Sequence, residues 1–150
     1  MTYYMPNGIL HIISTPIGNL SDITLRALEV LKNVELILSE DTRETTKLLD
    51  KYQIKKAQVS YRDQNHERIM PRIEQVLTEG HDIALISDSG TPLISDPGFK
   101  LVRELKAKGF TVTSIPGPSA VISSLVISGL PTDKFSFLGF LLTLFTRRGW

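Results

Sequence analysis

The chain has 150 residues, of which 41% are hydrophobic, a formal net charge of +1 and no cysteine. This length predicts one globular domain with a sizeable core rather than two complete domains. The absence of cysteine excludes disulfides, thiolate metal sites and cysteine nucleophiles, and a charge so near zero does not by itself indicate a nucleic-acid partner.

Short aliphatic runs alternate with helical patterns along the chain. The runs predict strands over Ile9–Ser14, Leu36–Ser39, Gln58–Tyr61, Ile83–Ser87 and Thr111–Ile115. Apolar residues with helical spacing predict a helix after every one of these strands. This alternation predicts the α/β class, with a mostly parallel five-stranded sheet flanked by helices.

A domain boundary is predicted near Gly129–Asp133. The last helical pattern, Ser119–Ser128, ends at Gly129-Leu130-Pro131, and Lys134–Phe140 then has the pattern of a further strand. We therefore expect an N-terminal α/β domain over residues 1–128, followed over 129–150 by a linker and the start of a second α/β domain.

No part of the sequence predicts a targeting signal or a membrane span. The N-terminus lacks a basic region and His11 interrupts the apolar stretch Ile9–Ile13, so a secretory signal is not expected. The longest apolar run, near Phe135–Phe145, is shorter than the roughly 20 residues that cross a bilayer. We expect a soluble, cytoplasmic protein with no membrane partner.

The chemically distinctive residues follow the predicted strands. The loops after the strands are Thr15–Leu20, Glu40–Arg43, Arg62–Asn65, Asp88–Gly98 and Pro116–Ser119. Because the carboxyl ends of parallel strands share one edge, where open α/β folds bind ligands, we expect these loops to form one site. Asp88–Gly98 is far longer than the ~2–6 residues of an ordinary βα connection, which favours a ligand loop.

Some of these residues have simpler explanations. Pro16 and Gly18 are also what a tight turn requires, and Glu40-Asp41 are also ordinary first-turn acids of a helix. Several common functions lack their motifs: no G-x-G-x-x-G, G-x-x-x-x-G-K-[ST] or G-x-S-x-G run is present. The scattered histidines, His11, His66 and His81, lack metal-ligand spacing, so no metal is expected.

Several sequence motifs, which occur in the same order along most of the chain, resemble those of one family. They are Thr15–Leu20 with Asp22–Leu28, Glu40–Arg43, Ser87–Pro92 with Ser95–Gly98, Ile115–Ala120 and Ser128–Asp133. Over about residues 8–140 the chain resembles the small-subunit ribosomal RNA cytidine 2′-O-methyltransferases, a bacterial branch of the tetrapyrrole methylase superfamily. Sister members that methylate tetrapyrrole rings typically have more glycine in the first loop.

The resemblance implies a two-domain homodimer that holds S-adenosylmethionine in the cleft between its domains. It implies methylation of a cytidine ribose 2′-hydroxyl in the decoding region, so the partner would be small-subunit ribosomal RNA or the assembled small subunit. By the same resemblance the cofactor would contact Thr15, Pro16, Gly18, Asn19, Asp88, Ser89, Gly90, Thr91, Pro92, Ser119 and Ala120.

Asp41 and Arg43 are the candidate catalytic residues. A 2′-hydroxyl is a weak nucleophile that benefits from in-line placement and from a base that takes its proton. Asp41 is predicted to be that base or to orient the substrate. The planar guanidinium of Arg43 is predicted to bind a phosphate.

The resemblance ends after Phe140. Members of the family continue with a proline, a basic segment and most of a second domain, whereas residues 141–150 here are LLTLFTRRGW. We therefore expect half of the cofactor cleft to be missing. Two alternatives stay open: a non-catalytic truncated remnant whose exposed apolar tail favours self-association, and a small-molecule methyltransferase that acts on tetrapyrroles.

Overall fold

The computed structural model describes residues 7–140, in which strands and helices alternate. In chain order the elements are β1 Ile9–Ile13, α1 Leu25–Asn33, β2 Leu36–Ser39, α2 Thr42–Lys51, β3 Ala57–Ser60, α3 His66–Thr78, β4 Ile83–Ile86, α4 Phe99–Ala107, β5 Thr111–Ile115 and α5 Ala120–Val126. Single 3₁₀ turns at Leu20–Asp22 and Asp63–Asn65 precede α1 and α3. The predicted strands of the sheet are confirmed, with bounds that differ by at most one residue.

The five strands form one parallel sheet in the order β3-β2-β4-β1-β5. The predicted α/β architecture is therefore confirmed. Strand β4 lies between β1 and β2, and Ile13 of β1 pairs in register with Ile86 of β4. Because these residues end their strands at the same level, the loops that follow β1 and β4 leave the sheet side by side.

Helices cover both faces of the sheet. Leu36, Leu38 and Leu85 belong to a buried cluster with α3 and α4, whereas the alternate residues Ile37 and Ala84 belong to a cluster with α1 and α2. Successive side chains of a strand point to opposite faces, so a strand covered on both faces fills both layers with apolar residues: β4 is apolar at every position, and β2 at every position except the buried Ser39. This requirement explains why these strands are continuous aliphatic runs in the sequence.

The predicted strand over Lys134–Phe140 is wrong. Residues 127–140 contain no helix or strand in the structure, and the side chains from Phe135 to Phe140 are exposed. A strand needs a neighbour that pairs with its backbone N–H and C=O groups, and no strand of residues 7–140 pairs with this segment. The predicted apolar tail over residues 141–150 lies outside the described residues.

Within residues 7–140, no helix is both long enough and apolar enough to cross a membrane. The longest described helix, α3, runs from His66 to Thr78 and includes Pro71 in its first turns. Its buried residues, among them Ile73 and Leu77, lie on one side against the sheet. The helix is therefore amphipathic, as expected for the cover of a sheet.

The fold predicts different effects for the same substitution at two positions of α1. Leu31 is 0% exposed and packs in the core, whereas Leu25 is 86% exposed. We expect Leu31→Ala to lower the free energy of unfolding by ~2–5 kcal/mol, because it leaves a cavity. Leu25→Ala should change it by less than ~0.5 kcal/mol. Urea unfolding followed by circular dichroism measures both, and equal losses would contradict this packing.

Candidate functional site

The loops that follow β1 and β4 are joined by backbone hydrogen bonds. The Thr15 N–H donates to the Gly90 carbonyl at 2.9 Å, and the Gly90 N–H donates to the Thr15 carbonyl at 3.0 Å. The buried Thr15 hydroxyl donates to the Ser87 carbonyl at 3.2 Å. These bonds hold the two loops as one unit at the carboxyl edge of the sheet.

The loop after β5 joins the same unit. The Thr91 and Ser14 hydroxyls lie 2.8 Å apart, and the Thr91 hydroxyl donates to the Pro118 carbonyl at 3.3 Å. A Cβ at Gly117 would lie only 3.1 Å from the Ser14 Cβ, so the loop after β5 can approach β1 this closely because residue 117 is glycine.

The loop after β2 is attached through an acidic side chain. The Asp41 N–H donates to Asp88 Oδ1 at 3.0 Å. The structure therefore brings the loops that contain Thr15, Asp41, Asp88 and Gly117 to one edge of the sheet, as the alternation of strands and helices predicts.

A cavity of about 500 Å³ lies between the loops after β4 and β5. Its wall is a set of apolar side chains with a few hydroxyls and one carboxylate. The lining residues are Ile17, Ser89, Gly90, Thr91, Ile94, Asp96, Ser119, Ala120, Val121, Ile122 and Phe137. Ser89, Gly90, Thr91, Ser119 and Ala120, all predicted cofactor contacts, lie together here.

A second cavity of about 210 Å³ lies against α2. It is lined by Thr15, Pro16, Leu20, Glu44, Thr45, Lys47, Leu48, Ile86, Ser87 and Asp88. Three predicted cofactor contacts, Thr15, Pro16 and Asp88, are therefore on this cavity and not on the larger one. The paired residues Thr15 and Gly90 belong to different cavities, so their bridge lies between the two.

The other predicted cofactor contacts, Gly18, Asn19 and Pro92, line neither cavity. The Asn19 side chain instead accepts the Ser21 N–H at 3.0 Å and begins the 3₁₀ turn before α1. A Cβ at Gly18 would have no atom within 4 Å, so space at this position is not restricted. Asn19 therefore stabilises the turn that leads into α1.

The carboxylate of Asp41 begins helix α2 and pairs with Arg43. Asp41 Oδ1 accepts the Arg43 backbone N–H at 2.9 Å and its Nε–H at 3.0 Å, while Arg43 Nη2 donates to Oδ2 at 2.6 Å. These bonds hold the pKa of the Asp41 carboxyl well below its usual range. A carboxylate with so low a pKa is a weak base at neutral pH, which favours orientation of a substrate over removal of its proton.

Sequence reasoning did not include Glu40 or Asp96 among the site residues. Burial raises the pKa of the Glu40 carboxyl, and the charge of Asp88 adds to the rise. Burial also raises the pKa of the Asp96 carboxyl, with a partly offsetting hydrogen bond from Ser87 and a further contribution from Asp88. The position of Asp96 within the long loop Asp88–Gly98 was the available signal. The apolar residues in the wall of the larger cavity gave no such signal, because their sequence pattern is the same as that of core residues.

Two of the three histidines have internal partners. The buried His66 ring bonds Tyr61 Oη at 2.8 Å through Nδ1 and Glu104 Oε2 at 2.7 Å through Nε2. His11 Nε2 lies 3.0 Å from Asp82 Oδ2. In the part of the chain that the structure describes, no three histidine, aspartate or glutamate side chains form a group that could hold a metal ion.

Comparisons with known proteins agree with this architecture. The model of the family described as Tetrapyrrole (Corrin/Porphyrin) Methylases matches residues 9–149. The chain belongs to this family. A tetrapyrrole methylase of known structure, uroporphyrin-III-C-methyltransferase from Thermus thermophilus, matches with a TM-score of 0.60 and 23% identity, over 83% of this chain and 54% of that one. At this identity the match shows the shared fold.

Curated relatives in the tetrapyrrole methylase family are more similar in sequence. The protein named ribosomal RNA small subunit methyltransferase I from Thermotoga maritima is 51% identical over 134 residues, which are 89% of this chain and 60% of the relative. The protein of the same name from Vibrio cholerae is 51% identical over 139 residues, which are 91% of this chain and 48% of the relative. The chain thus spans about half to 60% of the length of these relatives.

The acidic cluster predicts the effect of removing one charge. In Asp88→Asn the amide oxygen can still accept the Asp41 N–H, but the negative charge that disfavours ionisation of Glu40 and Asp96 is lost. We expect the pKa of both carboxyls to fall, as measured by NMR titration of side-chain carboxyl carbons.

The matched control is Glu79→Gln, at the exposed C-terminal end of α3 on the opposite edge of the sheet. It should leave the pKa of Glu40 and that of Asp96 unchanged. If Asp88→Asn left both values unchanged as well, the acidic side chains would not be as close as the structure has them.

Proposed function

We propose that this chain is part of an S-adenosylmethionine-dependent methyltransferase that modifies a cytidine ribose 2′-hydroxyl in small-subunit ribosomal RNA. The observation that carries the proposal is about 50% identity to proteins named ribosomal RNA small subunit methyltransferase I. The small ribosomal subunit or its RNA would be the partner, a homodimer the assembly and the cytoplasm the location.

The larger cavity supports this proposal because its residues fit the cofactor. Its volume of about 500 Å³ is in the range of small-molecule sites, and most of its wall is apolar. The carboxyl of Asp96 suits a ligand that carries a sulfonium and an ammonium group. At Gly90, with φ +78°, a Cβ would lie 3.5 Å from Ile17 Cγ2, so glycine keeps this part of the wall open.

Hydroxyl groups in the same wall can bind the polar parts of the cofactor. Ser89 and Ser119 line the cavity and each have one, whereas the Thr91 hydroxyl already bonds Ser14 and the Pro118 carbonyl. The Ser119 oxygen also accepts the Ile122 N–H at 3.4 Å at the start of α5, which fixes the orientation of this side chain. A hydroxyl that accepts one bond retains its proton for donation to a ligand.

The bound cofactor would supply an electrophilic methyl group. The residues of this chain would then position the 2′-hydroxyl, since methyl transfer requires the nucleophile in line with the bond that breaks. In this proposal Asp41, ionised at neutral pH, accepts a hydrogen bond from that hydroxyl and orients it. The Arg43 side chain is 86% exposed and can bind a neighbouring RNA phosphate while it remains paired with Asp41.

The proposal includes a division of the chain into residues 1–128 and 129–150, the latter a linker and the start of a second domain. Phe137, which follows the proposed boundary, contributes to the wall of the larger cavity. This contact supports a cofactor site that lies in a cleft between two domains, with residues from both.

A labelling experiment tests the proposed activity. Small ribosomal subunits that lack the modification are incubated with this chain and S-adenosylmethionine carrying a labelled methyl group. Label in a cytidine 2′-O-methyl group is the expected result. A labelled tetrapyrrole acceptor with unlabelled RNA would favour the small-molecule methyltransferase, and the absence of both binding and labelling would favour the non-catalytic remnant.

Two glycine substitutions separate cofactor binding from folding. Gly90 and Gly109 have similar positive φ angles, +78° and +82°, so alanine should destabilise the protein by ~1–3 kcal/mol at either position. Only Gly90 lines the larger cavity. We expect Gly90→Ala to weaken S-adenosylmethionine binding by roughly tenfold or more, about 1.4 kcal/mol, in isothermal titration calorimetry. Gly109→Ala should bind like the unchanged chain, and equal affinities of both variants would place the cofactor elsewhere.

A further inference from the structure

Helix α4 has a positively charged outer side. Its buried residues, Leu101 and Leu105, pack in the core beneath the helix. Its exposed residues are Phe99, Lys100, Arg103, Lys106 and Ala107. None of these exposed residues is acidic, although the whole chain contains 17 lysines and arginines and 16 aspartates and glutamates. The outer side of α4 therefore concentrates positive charge in a chain that is nearly neutral.

The three cations of α4 form one row, which we call the basic stripe. Lys100, Arg103 and Lys106 follow each other at intervals of three residues, and side chains at this spacing are neighbours on the surface of a helix. The stripe covers about 9 Å of the helix axis, because the rise per residue is ~1.5 Å. None of the three cations forms an ion pair with a residue of the described range 7–140. Their charges are therefore available to an anionic partner.

The acidic residue of α4, Glu104, is directed away from the basic stripe. Its Oε1 accepts from Lys108 Nζ at 2.9 Å, and its Oε2 lies 2.7 Å from Nε2 of the buried His66 in α3. These bonds from Lys108 and His66 hold the pKa of the Glu104 carboxyl below its usual value. Lys108 also pairs with Glu74 of α3. The carboxylate of Glu104 therefore belongs to the junction between α3 and α4 and leaves the outer side to the cations.

An exposed aromatic ring lies beside the basic stripe. Phe99, the first residue of α4, is 61% exposed, and Cζ of Arg103 lies 5.3 Å from the centre of its ring. Unpaired RNA bases stack on such aromatic rings and on the flat guanidinium group of arginine. A membrane surface would require a larger apolar face than one phenylalanine provides. The combination of three cations with a single aromatic ring therefore favours RNA.

The basic stripe begins near the proposed cofactor site and leads away from it. Helix α4 follows the loop Asp88–Gly98, part of which lines the larger cavity, and it ends shortly before β5 begins at Thr111 on the opposite edge of the sheet. No residue of the stripe lines any of the three cavities of the described part of the chain. An RNA that reaches the loops at the carboxyl edge can therefore continue along the outer side of α4.

We infer that the outer side of α4 is a separate RNA-binding surface, on which Lys100, Arg103 and Lys106 bind backbone phosphates and Phe99 stacks on an unpaired base. This inference rests on the proposed function and assigns the RNA a contact outside the cavities. Contacts with phosphates fix the position of a nucleic acid without reading its sequence. The surface therefore holds the RNA while the loops at the carboxyl edge carry out the reaction.

The test is binding of a fluorescein-labelled RNA hairpin with an unpaired loop to the 150-residue chain, measured by fluorescence anisotropy at several salt concentrations. We expect Lys100→Gln/Lys106→Gln to bind roughly tenfold more weakly near 0.1 M salt, because two phosphate contacts are lost. The slope of log K against log salt concentration should become shallower by about 1.5. The melting temperature should not change, since both lysines are exposed and form no ion pair within residues 7–140.

The matched control is Lys32→Gln/Lys55→Gln, which removes the same two charges. Both lysines are exposed, and they lie just before β2 and β3, at the amino edge of the sheet. This variant should bind the hairpin like the unchanged chain. Equal weakening in the two double variants, or full affinity in both, would overturn the inference.

Phe99→Leu tests the stacking contact, because leucine keeps an apolar side chain and lacks the ring. We expect it to weaken binding of the hairpin at least about fivefold. Binding of a fully paired RNA duplex, which has no free base to stack, should not change. Unchanged affinity for the hairpin would show that Phe99 does not stack on a base and would overturn that part of the inference.

Methylation assays separate this inference from the proposed function. If the unchanged chain methylates small ribosomal subunits while both double variants bind the hairpin equally, only the α4 surface is wrong. If the chain labels no RNA, yet Lys100→Gln/Lys106→Gln loses hairpin binding and the control does not, the surface stands and the proposed methylation is wrong. Binding to phosphatidylglycerol vesicles without binding to the hairpin would overturn the inference and assign the stripe to an anionic lipid surface.

Discussion

The pair of backbone hydrogen bonds between Thr15 and Gly90 is the constraint on which the site depends. Strands β1 and β4 end in register, and this bridge extends their pairing into the loops beyond the sheet. Because the bonds use only main-chain atoms, they fix the position of each loop and leave the side chains of Ser89 and Thr91 for other contacts. The loops after β2 and β5 then attach to this centre through Asp88 and Thr91.

The sheet could be predicted from the sequence because its strands are buried on both faces. A strand such as Ile83–Ile86 is buried and apolar at every position, and this leaves a continuous aliphatic run in the sequence. The segment Lys134–Phe140 also has a strand-like pattern, with Phe135, Phe137 and Leu138, yet it forms no part of the sheet within residues 7–140. Pairing depends on which chain segment lies alongside, and local composition does not contain that information.

The site could be predicted only as far as the topology determines it. Parallel strands place their loops at one edge, so the convergence of Thr15, Asp41 and Asp88 followed from the order of elements. The division of that edge into separate cavities depends on how the loops after the strands fold against one another, and no local pattern indicates it. The burial of Thr45 follows the helical pattern of α2, because it lies on the same face as Leu48 and Leu49, but that its hydroxyl has no hydrogen-bond partner among the described residues could not be predicted from the pattern.

The close approach of Gly117 to Ser14 affects how mutational data on this protein would be interpreted. A methyl group at residue 117 would require the loop after β5 and the end of β1 to move apart by a few tenths of an ångström, and Gly117 lines a neighbouring cavity of about 430 Å³ rather than the larger one. Loss of activity at this position would therefore combine the tolerance of the scaffold with any change in that neighbouring cavity. A saturation scan that ranks positions by intolerance would score Gly117 as highly as a catalytic residue, and only a separate measurement of folded protein would tell them apart.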